Sequence, residues 1–261
     1  MTTVLCVPQW QGSGSARAPR LVDGARRSAE LCAADAVVTV PTLASAGEKR
    51  DGVRALDVLV ANLRLTQATL AGIDDFVITV GGDCGVDLAP IAAARAEYGE
   101  ALTVLWIDAH PDLYTPATLP SGSFHGMVVS TLLGDGPSSL VPAQPLTPDQ
   151  VILVGVRTGD PAEYEYIERA GIRHHGVADL DRALDGVTGP VYVHIDLDVL
   201  DPDEFGSTCY PVADGIPAQR LIDLVSRVDT VVGAAITEHA PVAEIPAEAA
   251  LLTRLGAVLR G

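Results

Sequence analysis

A chain of 261 residues with 48% hydrophobic content is long enough for one well-filled domain, and no break in it favours two. Its formal charge of −17, with Lys49 the single lysine, leaves no basic footprint for nucleic acid or for an anionic membrane surface. That charge suits metal ions or a cationic substrate, although most acidic chains are simply soluble.

The N-terminal stretch MTTVLCVPQWQGSG lacks the basic region and apolar run of a signal peptide, and no apolar stretch is long enough to span a bilayer. Four scattered cysteines, Cys6, Cys32, Cys84 and Cys209, form no CxxC pair and read as reduced thiols of a cytoplasmic protein. Along the chain, residues 3–7 and 36–40 read as strands, 56–70 as a helix, 76–80 as a strand and 87–97 as a helix. Strands follow at 102–107 and 151–156, then a helix at 162–170 and a strand at 191–195. A further helix opens at Pro217 and runs through 221–225, followed by a strand at 231–236 and a helix at 247–259. Several strands are continuous apolar runs, as strands covered on both faces are. The alternation predicts one α/β domain over 1–261, a mostly parallel sheet with helices on both faces. The longest irregular stretch, 111–120, directly follows a strand, where a binding loop would sit.

Ligands of parallel α/β sheets bind beyond the carboxyl ends of the strands. Those ends read Gly81-Gly82-Asp83-Cys84-Gly85, Asp108-Ala109-His110-Pro111-Asp112, Arg157-Thr158-Gly159-Asp160, Asp196-Leu197-Asp198 and Thr237-Glu238-His239. In extended backbone, Asp108, His110 and Asp112 at i, i+2 and i+4 point to one side, and so do Asp196 and Asp198. Charged groups beside a buried strand are costly unless compensated, and divalent cations remove the mutual repulsion. Carboxylates with an imidazole favour a hard or borderline ion such as Mn²⁺. A solvated strand-to-loop transition with ion pairs is the plain alternative for one such motif, and a second motif after another buried strand counts against it.

The segments GGDCG, WIDAHPDLYTPATLPSGSFHGM, VGVRTGDPAEY, HIDLDVLDP and ITEHAP stand in the order of the arginase-type ureohydrolases. The chain resembles that family from about Phe76 to its last helix. The resemblance implies a parallel eight-stranded sheet with two Mn²⁺ per chain at its edge, and attack of a metal-bridging hydroxide on a guanidino carbon. It implies that Asp108 and Asp196 bridge the ions, that His110 and Asp198 complete one, and that Asp112 and Cys84 complete the other. By the same resemblance, His125 shuttles a proton, with Asp112 as another donor, and Glu238 holds the guanidinium group. Asp160 and Glu163 match the pair that recognises the α-amino group, although Asp-Pro-Ala-Glu is also a helix-capping pattern. Ser121 and Ser123 fall at the substrate.

The chain departs from the family pattern at Cys84, which stands where the family has its first metal-binding histidine. Tyr114, Leu119 and Ser123 replace polar residues around the α-carboxylate, Ser121 is kept, and Tyr210 replaces a smaller residue. An amino-acid substrate related to arginine is therefore expected, with agmatine disfavoured. Cysteine in that slot resembles the branch of the family that cleaves Nω-hydroxy-L-arginine to hydroxyurea and L-ornithine in D-cycloserine biosynthesis. The alternatives are ordinary arginase chemistry, giving urea and L-ornithine, or a degenerate homologue that binds an amino acid without reaction. Family trimers use a tail beyond the last helix. This chain stops at Gly261 and is highly acidic, so a monomer is expected.

Overall fold

The continuous apolar runs end with both faces covered, as inner parallel strands require. The computed structural model describes residues 1–260. Its strands are β1 (Thr2–Val7), β2 (Ala36–Thr39), β3 (Phe76–Gly81), β4 (Thr103–Ile107), β5 (Val151–Val154), β6 (Arg173–His175), β7 (Val191–Asp196) and β8 (Val231–Thr237). They form one sheet in the order β2-β1-β3-β8-β7-β4-β5-β6, and every pairing is parallel. The helices are α1 (Leu21–Leu31), α2 (Leu56–Leu70), α3 (Leu88–Tyr98), α4 (Val128–Leu132), α5 (Pro161–Ala170), α6 (Ala218–Ser226) and α7 (Pro246–Leu259).

Alternation along each strand sorts the core into two layers. Leu105, Ile107, Val193, Ile195 and Ile236 pack toward α1, α6 and α7. Val104, Trp106 and Tyr192 face the other way, toward α2, α3, α4 and α5. Helices therefore cover both faces of a single-domain α/β fold, as the alternation of elements predicts. Among the described residues no helix is long and apolar enough to cross a membrane.

The helix over 56–70 appears with the predicted bounds. The helix expected from residue 87 begins at Leu88, because Cys84–Asp87 form a separate 3-10 turn. Pro217 caps α6 from outside instead of being its first residue. Three elements carry too weak a pattern to be read. In α1 the buried stripe is Leu21, Gly24, Ala25, Ser28 and Ala29, in which Leu21 is the one large apolar side chain. The five-residue α4 is too short for a helical period. The edge strand β6 is Arg-His-His, with no apolar residue to mark it.

The sheet order places β3, β8, β7 and β4 side by side. The chain lays down β3 and β4 early, and β7 and β8 later fill the space between them. This brings together at one edge the ends that carry Cys84, Glu238, Asp196 and Asp108. Next to them β5 is followed directly by Gly155, whose φ of 90° lies where only glycine is at ease. A Cβ there would stand 2.4 Å from Val199 Cγ2. Gly155→Ala should therefore cost about 2 kcal/mol or more, the sum of a left-handed backbone and an overpacked contact. Urea unfolding should show a lower midpoint at unchanged slope. A midpoint equal to that of the parent would show that the β5 end tolerates a side chain.

Candidate metal centre at the strand ends

The site is built by turns that stop each strand, and here the extended-backbone expectation fails. The ladder of β4 ends at Ile107, and Asp112 adopts φ 53°, in the left-handed region. Asp196 closes β7, and Asp198 lies in a 3-10 turn, Leu197–Val199, whose amide donates to Asp196 Oδ1 at 2.8 Å. Glu238, just past β8, also has a positive φ, 67°. The carboxylates converge because tight turns fold them back over the sheet edge. Left-handed non-glycine residues cost of order 1–3 kcal/mol and gather at functional sites.

Two groups without an assigned role from the sequence hold these turns. Asp83 caps the Cys84 turn: it accepts from Gly85 N at 3.0 Å, from Gln9 Nε2 at 3.0 Å and from Gly12 N at 2.9 Å. Arg157 threads its guanidinium among carbonyls, donating to Val199 O at 3.0 Å, Asp198 O at 2.8 Å and Val212 O at 2.8 Å. It locks the turn after β7, and these hydrogen bonds go to backbone carbonyls, not to the side-chain carboxylates. Arg157 was legible as a strand-end residue, but its targets are backbone atoms that no sequence pattern marks.

Potential donor atoms fall into three groups, each within 4.8 Å: Cys84, Asp108 and His194; Cys84, Asp196 and Glu238; Asp108, His110 and Asp198. Cys84 Sγ lies 3.2 Å from Asp196 Oδ2. His110 Nδ1 lies 3.1 Å from Asp198 Oδ2 and 3.4 Å from Asp108 Oδ1. Trp106 Nε1 steadies Asp108 with a 3.1 Å hydrogen bond. Asp112 is buried, and its Oδ2 has no hydrogen-bond partner. His125 Nδ1 sits 3.2 Å from Glu238 Oε1, yet neither Glu238 oxygen receives an aligned donor.

Electrostatic strain follows. Burial, with Asp198 and Asp108 beside it, holds the Asp196 carboxyl well above its ordinary value. Burial and Asp108 do the same to Asp112. Burial pushes Asp198 up to about 6 against the pull of His110. Asp108 is the exception, since contact with His110 outweighs burial and lowers it. Burial opposes charge on His110, but Asp198 and Asp108 outweigh it and raise the imidazole. Burial and Asp196 push the Cys84 thiol well above its usual range. Five buried carboxylates, some of whose oxygens are unpaired, and a thiol face two imidazoles, so a divalent cation fits this donor set.

The remaining candidates lie around this cluster. Glu163 uses Oε1 on Leu113 N at 3.1 Å and Oε2 on Asp160 N at 3.1 Å, so the capping role is present. Asp160 is exposed. Ser121 is exposed and donates to Ser123 Oγ at 3.2 Å, while Ser123 is buried. The Tyr210 ring lies 5.2 Å from that of His125, and a Cβ on Gly14 would meet both Ser123 Oγ and the Tyr210 hydroxyl. These contacts join Ser123, Tyr210 and His125 into one wall. His194 and Asp87 were assigned no role from the sequence; the signal was a histidine inside the apolar run Val191–Asp196.

The arginase family model matches residues 9–257. An arginase of Bacillus subtilis strain 168 is 33% identical over 180 residues, covering 61% of this chain and 59% of its own length. An N(omega)-hydroxy-L-arginine amidinohydrolase of Streptomyces lavendulae is 36% identical over 184 residues, covering 65% of this chain and 66% of its own. The match thus spans less than two thirds of either relative. The solved structure of Entamoeba histolytica arginase in complex with L-ornithine has a TM-score of 0.87 at 24% identity, covering 100% of this chain and 98% of that one, a likeness of fold.

The raised carboxyls set a pH test. Asp83 and Asp198 release their protons only at about 6, against about 3.9 in an unfolded chain. Between those values the folded state binds more protons, so the metal-free protein loses stability as pH rises. Calorimetry should find its Tm lower near pH 7.5 than near pH 5 by about 5 °C or more, with Mn²⁺ closing the gap. A Tm that rises over that interval would contradict this electrostatic account.

Proposed function

The chain belongs to the arginase family, and from that premise we propose that it is a two-metal amidinohydrolase cleaving the guanidino C–N bond of Nω-hydroxy-L-arginine to hydroxyurea and L-ornithine. The observation that carries this reading is Cys84, whose sulfur belongs to two of the three donor groups. The relative of 36% identity bears the name of that activity.

In this reading Asp108 and Asp196 would be shared between two ions, His110 and Asp198 would complete one, and Asp112 and Cys84 would complete the other. Carboxylates in the majority favour Mn²⁺. Two such ions, when bound, supply the charge that makes hydroxide available near neutral pH. Glu238 holds the guanidinium: it is 2% exposed, and its two oxygens lack aligned donors. Burial opposes charge on His125, but Glu238 outweighs it and raises the imidazole, so His125 can deliver a proton to the departing amine. Asp112 is the second group proposed to pass that proton. Exposed Asp160 receives the α-amino group, with Glu163 fixing its backbone, and Ser121 and Ser123 line the approach.

A thiolate at residue 84 adds about one negative charge relative to imidazole and weakens the nucleophile available at the site. An N-hydroxyguanidine is less basic than a guanidine, and its carbon is easier to attack. Stronger ground-state attraction of cationic arginine does not by itself raise turnover. The name of the relative at 33% identity favours L-arginine as the second reading.

Assays of the Mn²⁺-loaded protein on both compounds decide between them. Hydroxyurea release should exceed urea release by about tenfold or more in kcat/KM, a difference of about 1.4 kcal/mol. Cys84→His should keep two ions and shift the ratio toward arginine; an unchanged ratio would sink the argument from the thiolate. Asp108→Ala and Asp196→Ala should each lose activity together with metal, and normal turnover in either contradicts the assignment of shared ligands. His125→Ala should retain its metal and lose about 10²–10⁴-fold in kcat. A nearly full rate in that variant would give the proton transfer to Asp112 or water.

A further inference from the structure

A histidine in the middle of a fully buried strand needs an explanation, because both ring nitrogens require partners. His194 of β7 is 0% exposed and pairs in register with Trp106 of β4. Its ring stacks on the indole at 3.4 Å between centroids, with 4° between planes. Nδ1 lies 2.7 Å from Asp87 Oδ2. Asp87 is itself fully buried, ends the 3-10 turn that starts at Cys84, and accepts the Tyr192 hydroxyl on its other oxygen at 2.6 Å. Stacking and hydrogen bonding therefore fix the ring in plane and in rotation.

Nε2 has no hydrogen-bond partner. In the neutral ring with Nδ1–H donating to the Asp87 carboxylate, Nε2 carries a free lone pair. A buried acceptor without a donor costs about 1–3 kcal/mol. What surrounds it are further donors of electron pairs: a nitrogen of His194, the Cys84 sulfur and an Asp108 oxygen all lie within 4.8 Å of one another. Bonds of about 2.0–2.3 Å to one ion keep its ligands within about 4.6 Å of each other, so this spacing suits a shared cation. A histidine whose far nitrogen is held by a carboxylate is also the usual form of a metal-bound imidazole.

We propose that His194 Nε2 is a metal ligand, joining Cys84 and Asp108 on one ion, with Asp87 as the residue that positions its ring. This rests on the two-metal reading above. It gives the Cys84 ion an imidazole of its own, so the two ions differ: one takes thiolate, imidazole and carboxylate, the other imidazole and carboxylates. Softer, thiophilic cations such as Co²⁺ or Zn²⁺ should prefer the first position.

The test uses the full chain, stripped of metal and loaded with MnCl2, and reads coordination directly. With ¹⁵N-labelled histidine, pulsed electron paramagnetic resonance should show imidazole coupling from two residues, and His110→Ala should leave one. His194→Gln, which keeps a polar group against Asp87, should bind one Mn²⁺ at least about tenfold more weakly in calorimetry. Asp87→Asn should weaken the same ion by about 10–100-fold. In Co²⁺-loaded protein the thiolate charge-transfer band should shift in His194→Gln while wild type and variant show the same circular dichroism. A parent that binds no Mn²⁺ would overturn the two-metal reading and this proposal with it. Two ions bound with equal affinity in parent and His194→Gln, with a single imidazole coupling in the parent, would overturn this proposal alone.

Discussion

The molecule is organised around a repulsion. Asp108, Asp112, Asp196, Asp198 and Glu238 are at most 5% exposed and stand at the ends of three adjacent strands, where like charges in low dielectric oppose one another. Nearly every other feature of the site answers that constraint. Asp83 spends its own charge on Gln9 and on backbone amides instead of joining the cluster. Arg157 is tied to backbone carbonyls and holds the geometry of the turn after β7. The cluster is left short of positive charge, which makes it a receptor for cations.

The two layers of the core serve this edge differently. The strand side chains packed in the layer toward α1, α6 and α7, such as Leu105, Ile107, Val193, Ile195 and Ile236, are aliphatic. The layer toward α2, α3, α4 and α5 contains Trp106, Cys84 and Tyr192, and among them the hydrogen bonds of Trp106 to Asp108 and of Tyr192 to Asp87. Polar support is thus embedded in one half of the core, and large aromatic rings limit how far the donor groups can shift.

Much of this was legible in the sequence, for identifiable reasons. Apolar, β-branched runs marked seven strands, several of them continuous because inner parallel strands are covered twice, and the motifs after them marked the metal-site candidates. The eighth strand was expected only through family resemblance, since Arg173–His175 has no apolar signature. The direction of the site residues was misjudged: period-two alternation applies to strands, whereas Asp112 and Asp198 lie beyond theirs. Asp83, Asp87 and Arg157 could be given no role because their partners lie far along the chain or are backbone atoms, such as Gly12 N for Asp83 and His194, 107 positions away, for Asp87.

The sheet order has a kinetic consequence. Strands β3 and β4 are separated in space by β8 and β7, which leave the ribosome last among the strands. During synthesis the first half of the chain can form β1–β3 pairing and collapse its helices, but β3 finds its inner neighbour only when residue 237 has emerged. Long-range parallel pairing is slow because loop closure precedes its reward. Until then Cys84 and Asp108 are not bridged by intervening strands, and an incomplete chain cannot present the full ligand set. The candidate donor set is thereby complete only in chains that have completed the central sheet, and the last strand to arrive, β8, brings Glu238 with it.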